Sequence, residues 1–277
     1  MRVAFYGVRG SRPVSSERFT TFGGNSSCIG VSLGELNVVL DAGSGIANIP
    51  RALWKGKETH VFLSHLHHDH IAGLMFYGAL YEEDCKVTIH LPLEVEKGPL
   101  EAYWRPPYFP IPLGSTKAPV RLQKAQESKA ISAMGHMAGQ ACGSMVVDAM
   151  YMGKHVHPSS GVTAYRISDG RSALVYATDV ELADDASKQA IADFAKGVDI
   201  LILDAHFTDE EYQTYSGWGH NSVDMAIQVG AMSQCRRLIL FHHHPHRDDE
   251  QMIQLEASAV KRFANARAAR EGEVVYL

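Results

Sequence analysis

Apolar runs, alternating or unbroken, are the clearest pattern along this chain. Residues 2–8 and 28–40 read as strands with Gly-Gly-Asn (23–25) and Gly-Glu-Leu (34–36) between them, which predicts an antiparallel meander at the start. Residues 59–63 predict a short buried strand that stops at Ser64, and residues 71–80 have the length and content of a helix after it. Residues 86–92 give another strand. Segment 92–119 carries Trp104, Pro106, Pro107, Tyr108, Phe109 and Pro110, and reads as ordered loop. Residues 162–168 and 172–177 flank Asp169-Gly170, a strong hairpin signal. A helix over 184–196, a strand over 198–204, a helix over 222–232, a strand over 237–241 and a helix over 248–269 follow, with a last strand at Val274-Val275-Tyr276-Leu277.

Strands come first and are then mixed with helices, which puts sheet inside and helices outside in an α/β (α+β) fold. Strict β-α-β alternation is missing, which counts against a doubly wound parallel sheet. No tandem repeat, low-complexity tract or linker interrupts the pattern, so residues 1–277 read as a single domain. Neither G-x-G-x-x-G after the first strand nor G-x-x-x-x-G-K-[ST] occurs, so the dinucleotide and P-loop readings lose their support.

Composition narrows the field. Apolar residues make up 45% and charged residues 21%, an ordinary globular balance. The net charge of −5 lacks the broad basic footprint of phosphate-backbone binders, which makes long nucleic acid a poor partner. Cys28, Cys85, Cys142 and Cys235 stand far apart with no C-x-x-C pair, which argues against a disulfide framework and a cysteine zinc site and suits the cytoplasm. No apolar run approaches the roughly 18 residues of a membrane helix, and the N-terminus has no export signal.

Histidine changes the picture. Of 15 histidines, nine fall in two windows: His60, His65, His67, His68 and His70, then His242, His243, His244 and His246. In Ser64-His65-Leu66-His67-His68-Asp69-His70, positions 65 and 67 after a strand can point one way, while the turn into a helix brings 69 and 70 to a second point. Two neighbouring metal positions result. Imidazole nitrogens with a carboxylate suit Zn²⁺, Mn²⁺ or Fe²⁺ better than Mg²⁺ or Ca²⁺, which prefer all-oxygen shells.

With His65, His67, Asp69 and His70 forming H-x-H-x-D-H, the chain resembles the metallo-β-lactamase superfamily. The segments MRVAFYGVRGSRP, GGNSSC, LDAGSG, HPSSGVTAYRI, YATDVE, GWGHNS and LILFHHHP extend the likeness over nearly the whole chain, toward its phosphodiesterase-like branch. That branch is similar to the tRNA 3′-processing endonucleases and the phosphonate-pathway cyclic phosphodiesterase. The resemblance implies a four-layer αββα sandwich with a metal site at one edge of the facing sheets and two divalent ions, zinc first, manganese or iron otherwise. It also implies a third histidine before the Asp169-Gly170 hairpin, His157 with His155 as competitor. Asp179 matches the carboxylate that bridges both ions. The last ligand follows the strand at 237–241, where His242 is first choice and His243 and His244 are the alternatives. Relatives more often carry an acidic residue where His244 stands, which bears on substrate charge.

The implied chemistry is attack by a water shared between two ions, with Asp69 orienting it or accepting its proton. His220, in Gly217-Trp218-Gly219-His220-Asn221-Ser222, resembles the histidine of this branch that contacts the phosphoryl group and protonates the leaving oxygen; otherwise it is a cap or packing residue. Asp41 and Asp204 are either carboxylates that orient histidines or plain strand-end turn residues. His60, His90, His136 and His206 read as structural or surface groups. Segment 92–119 is a substrate lid or a dimer contact; from Glu94 to Lys124 its three acidic and five basic residues give +2, too mild for a tRNA-gripping arm. The expected activity is metal-dependent hydrolysis of a small phosphodiester such as a cyclic nucleotide, with homodimerisation implied by resemblance only. The rivals are an RNA or tRNA nuclease, an ester, thioester or β-lactam hydrolase on the same fold, and a metal-binding module without catalysis.

Overall fold

The computed structural model describes residues 1–132, 144–153, 156–157 and 161–277. The opening meander is present: β1 (Arg2–Gly7), β2 (Cys28–Leu33) and β3 (Leu36–Leu40) pair antiparallel in order. From β3 onward the direction stays constant, and β4 (Glu58–Phe62), β5 (Lys86–Leu91) and β6 (Val120–Lys124) each add parallel to the strand before. The second sheet begins with antiparallel β7 (Ser128–Ser132), β8 (Ser144–Met152), β9 (Val162–Ser168) and β10 (Ala173–Ala177). It continues parallel through β11 (Ile200–Asp204), β12 (Arg237–Phe241) and β13 (Ala266–Ala268). Strand β14 (Val274–Tyr276) returns to β1, so among the described residues each sheet holds seven strands.

The two sheets face each other over one apolar layer and are covered outside by helices. Val3, Phe5, Ile29, Leu40 and Phe62 meet Tyr165, Leu174, Tyr176, Ile202 and Phe241 in the middle. Outside the first sheet lie α1 (Arg51–Trp54), α2 (His68–Ile71) and α3 (Lys97–Tyr103); outside the second lie α4 (Asp185–Phe194), α5 (Asp209–Tyr215), α6 (Val223–Ser233) and α7 (Asp249–Arg262). Both faces of the central strands are thus buried, which explains the unbroken runs: in β11, Ile200 and Ile202 face the other sheet while Leu201 and Leu203 face the helices.

Three expectations need correction. The helix over 71–80 is instead α2 followed by 3₁₀ turns at Leu74–Phe76 and Gly78–Tyr81. Its glycines are the cause: a Cβ on Gly73 would lie 1.9 Å from the Gly43 carbonyl oxygen, and one on Gly78 would lie 2.7 Å from the Trp54 ring. The helix over 248–269 stops at Arg262, because Ala266 and Ala268 are buried and extend the sheet beside β12. Segment 92–119 contains α3 and a short turn at Leu113–Ser115. Helix α5 and strands β6, β7 and β8 had no counterpart in the sequence reading; the capping box from Thr208 to Glu211 was the available signal for α5.

His60 and His90 lie between the sheets, away from the histidine-rich edge. His90 stacks on Phe62 at 3.9 Å, accepts from Gln123 Nε2 at 3.2 Å and sets its Nε2 3.0 Å from His60 Nδ1. Their reading as structural groups fits these contacts. Burial, helped by the charges of His60 and Lys129, pushes His90 down to about 2, so it is neutral in the folded chain at every pH near neutrality. The unfolded chain takes up that proton near pH 6.5, so the stability His90 confers is complete above that pH and lost as pH falls below it. In urea unfolding of metal-free protein, the wild type is expected to lose about 2 kcal/mol more than His90→Gln between pH 7 and pH 5. Equal losses would contradict a buried neutral His90.

Candidate metal centre

The carboxyl ends of the parallel strands in both sheets meet at one edge of the sandwich, where open α/β sheets generally bind ligands. There β3 runs into Asp41, β4 into Ser64 and His65, β10 into Asp179, β11 ends at Asp204 and β12 runs into His242. Three of these turns are left-handed at residues other than glycine: φ is 57° at Asp41, 54° at Asp179 and 62° at His242. A fourth, Ser11 at φ 61°, donates its amide N–H to Asp69 Oδ2 at 2.8 Å. Each such turn costs of order 1–3 kcal/mol and persists only where the surroundings enforce it.

Two side-chain groups form around Asp179. His65, His67, His157 and Asp179 make one; Asp69, His70, Asp179 and His242 make the other, with candidate ligand atoms in each group all within 4.8 Å of one another. Asp179 belongs to both. Its Oδ1 lies 3.7 Å from His65 Nε2, and its Oδ2 lies 3.1 Å from His70 Nε2 and 3.2 Å from His242 Nε2. Asp69 Oδ2 is 3.1 Å from His70 Nε2 and 3.2 Å from His242 Nε2. Every ligand position anticipated from the sequence is therefore in one of the two groups. His155 and His136 lie outside the described residues, as does Cys142.

Buried carboxylates hold the imidazoles from behind. Asp41 accepts from the Ser64 amide at 2.7 Å, the Ser64 hydroxyl at 2.8 Å, the Tyr176 hydroxyl at 2.6 Å and His70 Nδ1 at 2.8 Å. That leaves His70 Nε2 for the site. Asp204 accepts from His220 Nδ1 at 2.9 Å and from the amides of Asp179, Asn221 and His206 at 3.0, 3.1 and 3.2 Å. Both aspartates orient histidines, which decides between the two readings left open for them.

The histidines after β12 separate cleanly. Only His242 turns to Asp69 and Asp179; His243 is buried with its Nε2 2.8 Å from the Ala269 carbonyl oxygen, and the His244 ring stands 4.8 Å from His206. A Cβ on Gly10 would lie 2.4 Å from His242 Nδ1, so this glycine lets the 10–12 turn close over the ring. Gly10 and Ser11 were not singled out by their residue types; only their contacts bring them to the site. His206, read as a structural or surface group, is buried beside the site, with Nδ1 2.8 Å from the His242 carbonyl oxygen and its ring stacked on His220 at 4.4 Å.

A family model described as Beta-lactamase superfamily domain matches residues 36–243, which span most of this edge. The chain belongs to the beta-lactamase superfamily. It is 25% identical over 239 residues to ribonuclease Z of Brevibacillus brevis, covering 69% of each chain. Among solved structures it is similar to the metallo-beta-lactamase fold protein YhfI of Bacillus subtilis, with TM-score 0.69, 19% identity and coverage of 99% of this chain and 98% of that one. It is also similar to a diphosphatase from the PhnP family, with TM-score 0.64, 18% identity and coverage of 99% and 97%. The αββα sandwich expected from the sequence is thus the fold of this superfamily member.

The donor set fits the divalent metals the superfamily uses. His65 Nε2, His70 Nε2 and His157 Nδ1 are buried without a hydrogen-bond partner among the described residues, although His70 Nε2 faces two carboxylate oxygens. Burial, reinforced by the charge of His70, keeps His65 well below the usual imidazole range, and burial brings His157 down to about 4. The rings of His65 and His157 are thus neutral with free lone pairs, the form that binds metal, whereas Asp69, Asp179 and Asp41 push His70 well above the usual imidazole range against the cost of burial. Against the cost of burial, His70 and His242 hold Asp69 below the ordinary carboxylate range, and His242, His70 and His65 do the same for Asp179. Burial also opposes charge on His220, yet Asp204, then Asp179 and Asp69, push it up to about 9. A cation held by Asp179 and Asp69 would draw that value back down.

His206, His220 and His242 also fall within 4.8 Å, but their rings stack rather than converge, and the Nδ1 atoms of His206 and His220 are already engaged. If the two outer groups hold the ions of this superfamily member, Asp179→Ala is expected to empty at least one site in metal analysis of dialysed protein. Retention of two ions per chain would show that the shared carboxylate lies elsewhere.

Proposed function

We propose that this protein is a phosphodiesterase of the cytoplasm that uses two divalent ions, zinc foremost, to hydrolyse a small diester such as a cyclic nucleotide. The reading rests on His220: its Nδ1 is fixed by Asp204, its ring stands 4.9 Å from His242 and 6.2 Å from His157, and it belongs to neither outer ligand group. His65, His67, His157 and Asp179 would hold one ion, and Asp69, His70, Asp179 and His242 the other. When bound, such a pair supplies an activated water and stabilises negative charge on phosphoryl oxygens.

The chain's own groups complete the reaction. Asp69, held by the Ser11 amide on Oδ2, orients the attacking water and takes its proton. As the new P–O bond forms, the bond to the leaving oxygen breaks, and His220 delivers its Nε2 proton to that oxygen while Nδ1–H stays on Asp204. Buried free Cys28, Cys85 and Cys235 agree with a reducing compartment, and among the described residues no helix is long and apolar enough to cross a membrane. His220→Ala is expected to keep its metal and lose about 10²- to 10⁴-fold in diester turnover. A full-speed variant would remove the phosphodiesterase reading and favour ester, thioester or β-lactam hydrolysis.

The likeness to a ribonuclease Z supports a second reading, cleavage of a long RNA. The two separate on salt. A nuclease that grips six to ten phosphates loses about 10³- to 10⁵-fold in affinity between 50 and 200 mM salt. The small-diester reading expects KM to change by less than about tenfold over that range, as for one or two phosphate contacts. A steep slope would transfer the assignment to RNA.

A further inference from the structure

Trp218 is exposed in a way the other tryptophans are not: 64% of its surface is open, against 7% for Trp54 and 1% for Trp104. Exposure of so large a ring normally goes with a mobile side of a loop, but this loop is tied down. Glu181, itself buried, accepts from the Gly217 amide at 2.6 Å, the Gly219 amide at 2.8 Å and the Tyr212 hydroxyl at 2.7 Å. Gly217 at φ 88° and Gly219 at φ 86° supply the left-handed turns that let both amides reach one carboxylate. The ring is also braced: Tyr215 meets it edge-on at 5.2 Å, Phe207 stacks on Tyr215 at 5.2 Å, and Phe207 lies 5.9 Å from His220. A row of aromatic rings therefore leads from the His220 imidazole out to an indole held in place and facing solvent.

Resting on the phosphodiesterase reading above, we propose that Trp218 is the stacking surface for a nucleobase carried on the leaving-group side of the diester. One residue, Gly219, separates it from the histidine assigned to the leaving oxygen, so the group that oxygen belongs to departs on the side of the site where the indole stands. A planar ring matches the face that is left open, and a fixed indole stacks on it with little loss of side-chain freedom. No cation is needed for this contact, in keeping with a chain of net charge −5.

The test uses the metal-loaded full chain and two ligands that differ only in the base, adenosine 5′-monophosphate and ribose 5-phosphate. The nucleotide is expected to quench the emission of Trp218 where ribose 5-phosphate does not, and Trp218→Phe is expected to abolish the quench while keeping most of the nucleotide affinity by calorimetry. Trp218→Ala is expected to lower the ratio of nucleotide to ribose phosphate affinity by about 5- to 150-fold, the span of base–aromatic stacking. Metal content and circular dichroism of both variants check that the site is intact. A ratio that stays constant in Trp218→Ala, or a wild type that binds the two ligands equally, would overturn the stacking surface. The binding arm reads without turnover: base-selective binding with no diester hydrolysis by the wild type would sink the hydrolase reading and leave the surface standing.

Discussion

The carboxylate of Asp179 is buried between three imidazoles that approach it on both oxygens, and most of the site's geometry follows from accommodating it there. A buried charge is costly unless it is paired, and here the pairing must serve two groups at once. The Asp179 amide is held by Asp204, and Asp204 in turn holds His220. Asp41 performs the matching task on the other sheet, tying His70 to Ser64 and Tyr176. The left-handed turns at Asp41, Asp179 and His242 are the backbone cost of aiming these side chains inward from strand ends.

That arrangement depends on the mixed topology of the sheets. Parallel pairing over β3 to β6 and over β10 to β13 delivers successive strand ends to the same edge, so ligands far apart in the chain arrive together. The antiparallel parts share in the apolar layer between the sheets, and their connections bring His157, between β8 and β9, and Ser11, after β1, to the same edge. The same logic explains why glycines cluster nearby. Gly10, Gly43 and Gly73 let backbone segments close on His242, Asp69 and each other at distances a Cβ would forbid.

Sequence reading succeeded where the signal was local. The H-x-H-x-D-H loop, the Asp169-Gly170 hairpin and the buried strands β11 and β12 each carry their pattern within a few residues. It failed where distant packing decides. Residues 71–80 look helical until Gly43 and Trp54 press against Gly73 and Gly78, and the alanines near residue 266 look helical until β12 offers them a strand partner. The half-exposed edge strand β6 lacked a clean alternation, with burial mixed along Val120–Lys124. Three consecutive histidines at 242–244 are ranked in the sequence only by closeness to the strand end, which favours His242; the left-handed turn at His242 and the carbonyl partner of His243 separate them in space. His206 was passed over because nothing beside it in the chain hints that its ring meets His220.

The proposed chemistry requires two cations, one in each of the side-chain groups that share Asp179. Anomalous diffraction from crystals grown with zinc measures that directly. The expected result is two peaks, one among His65, His67, His157 and Asp179, the other among Asp69, His70, Asp179 and His242. A map with no peak at this edge, or with one confined to His206, His220 and His242, would contradict it.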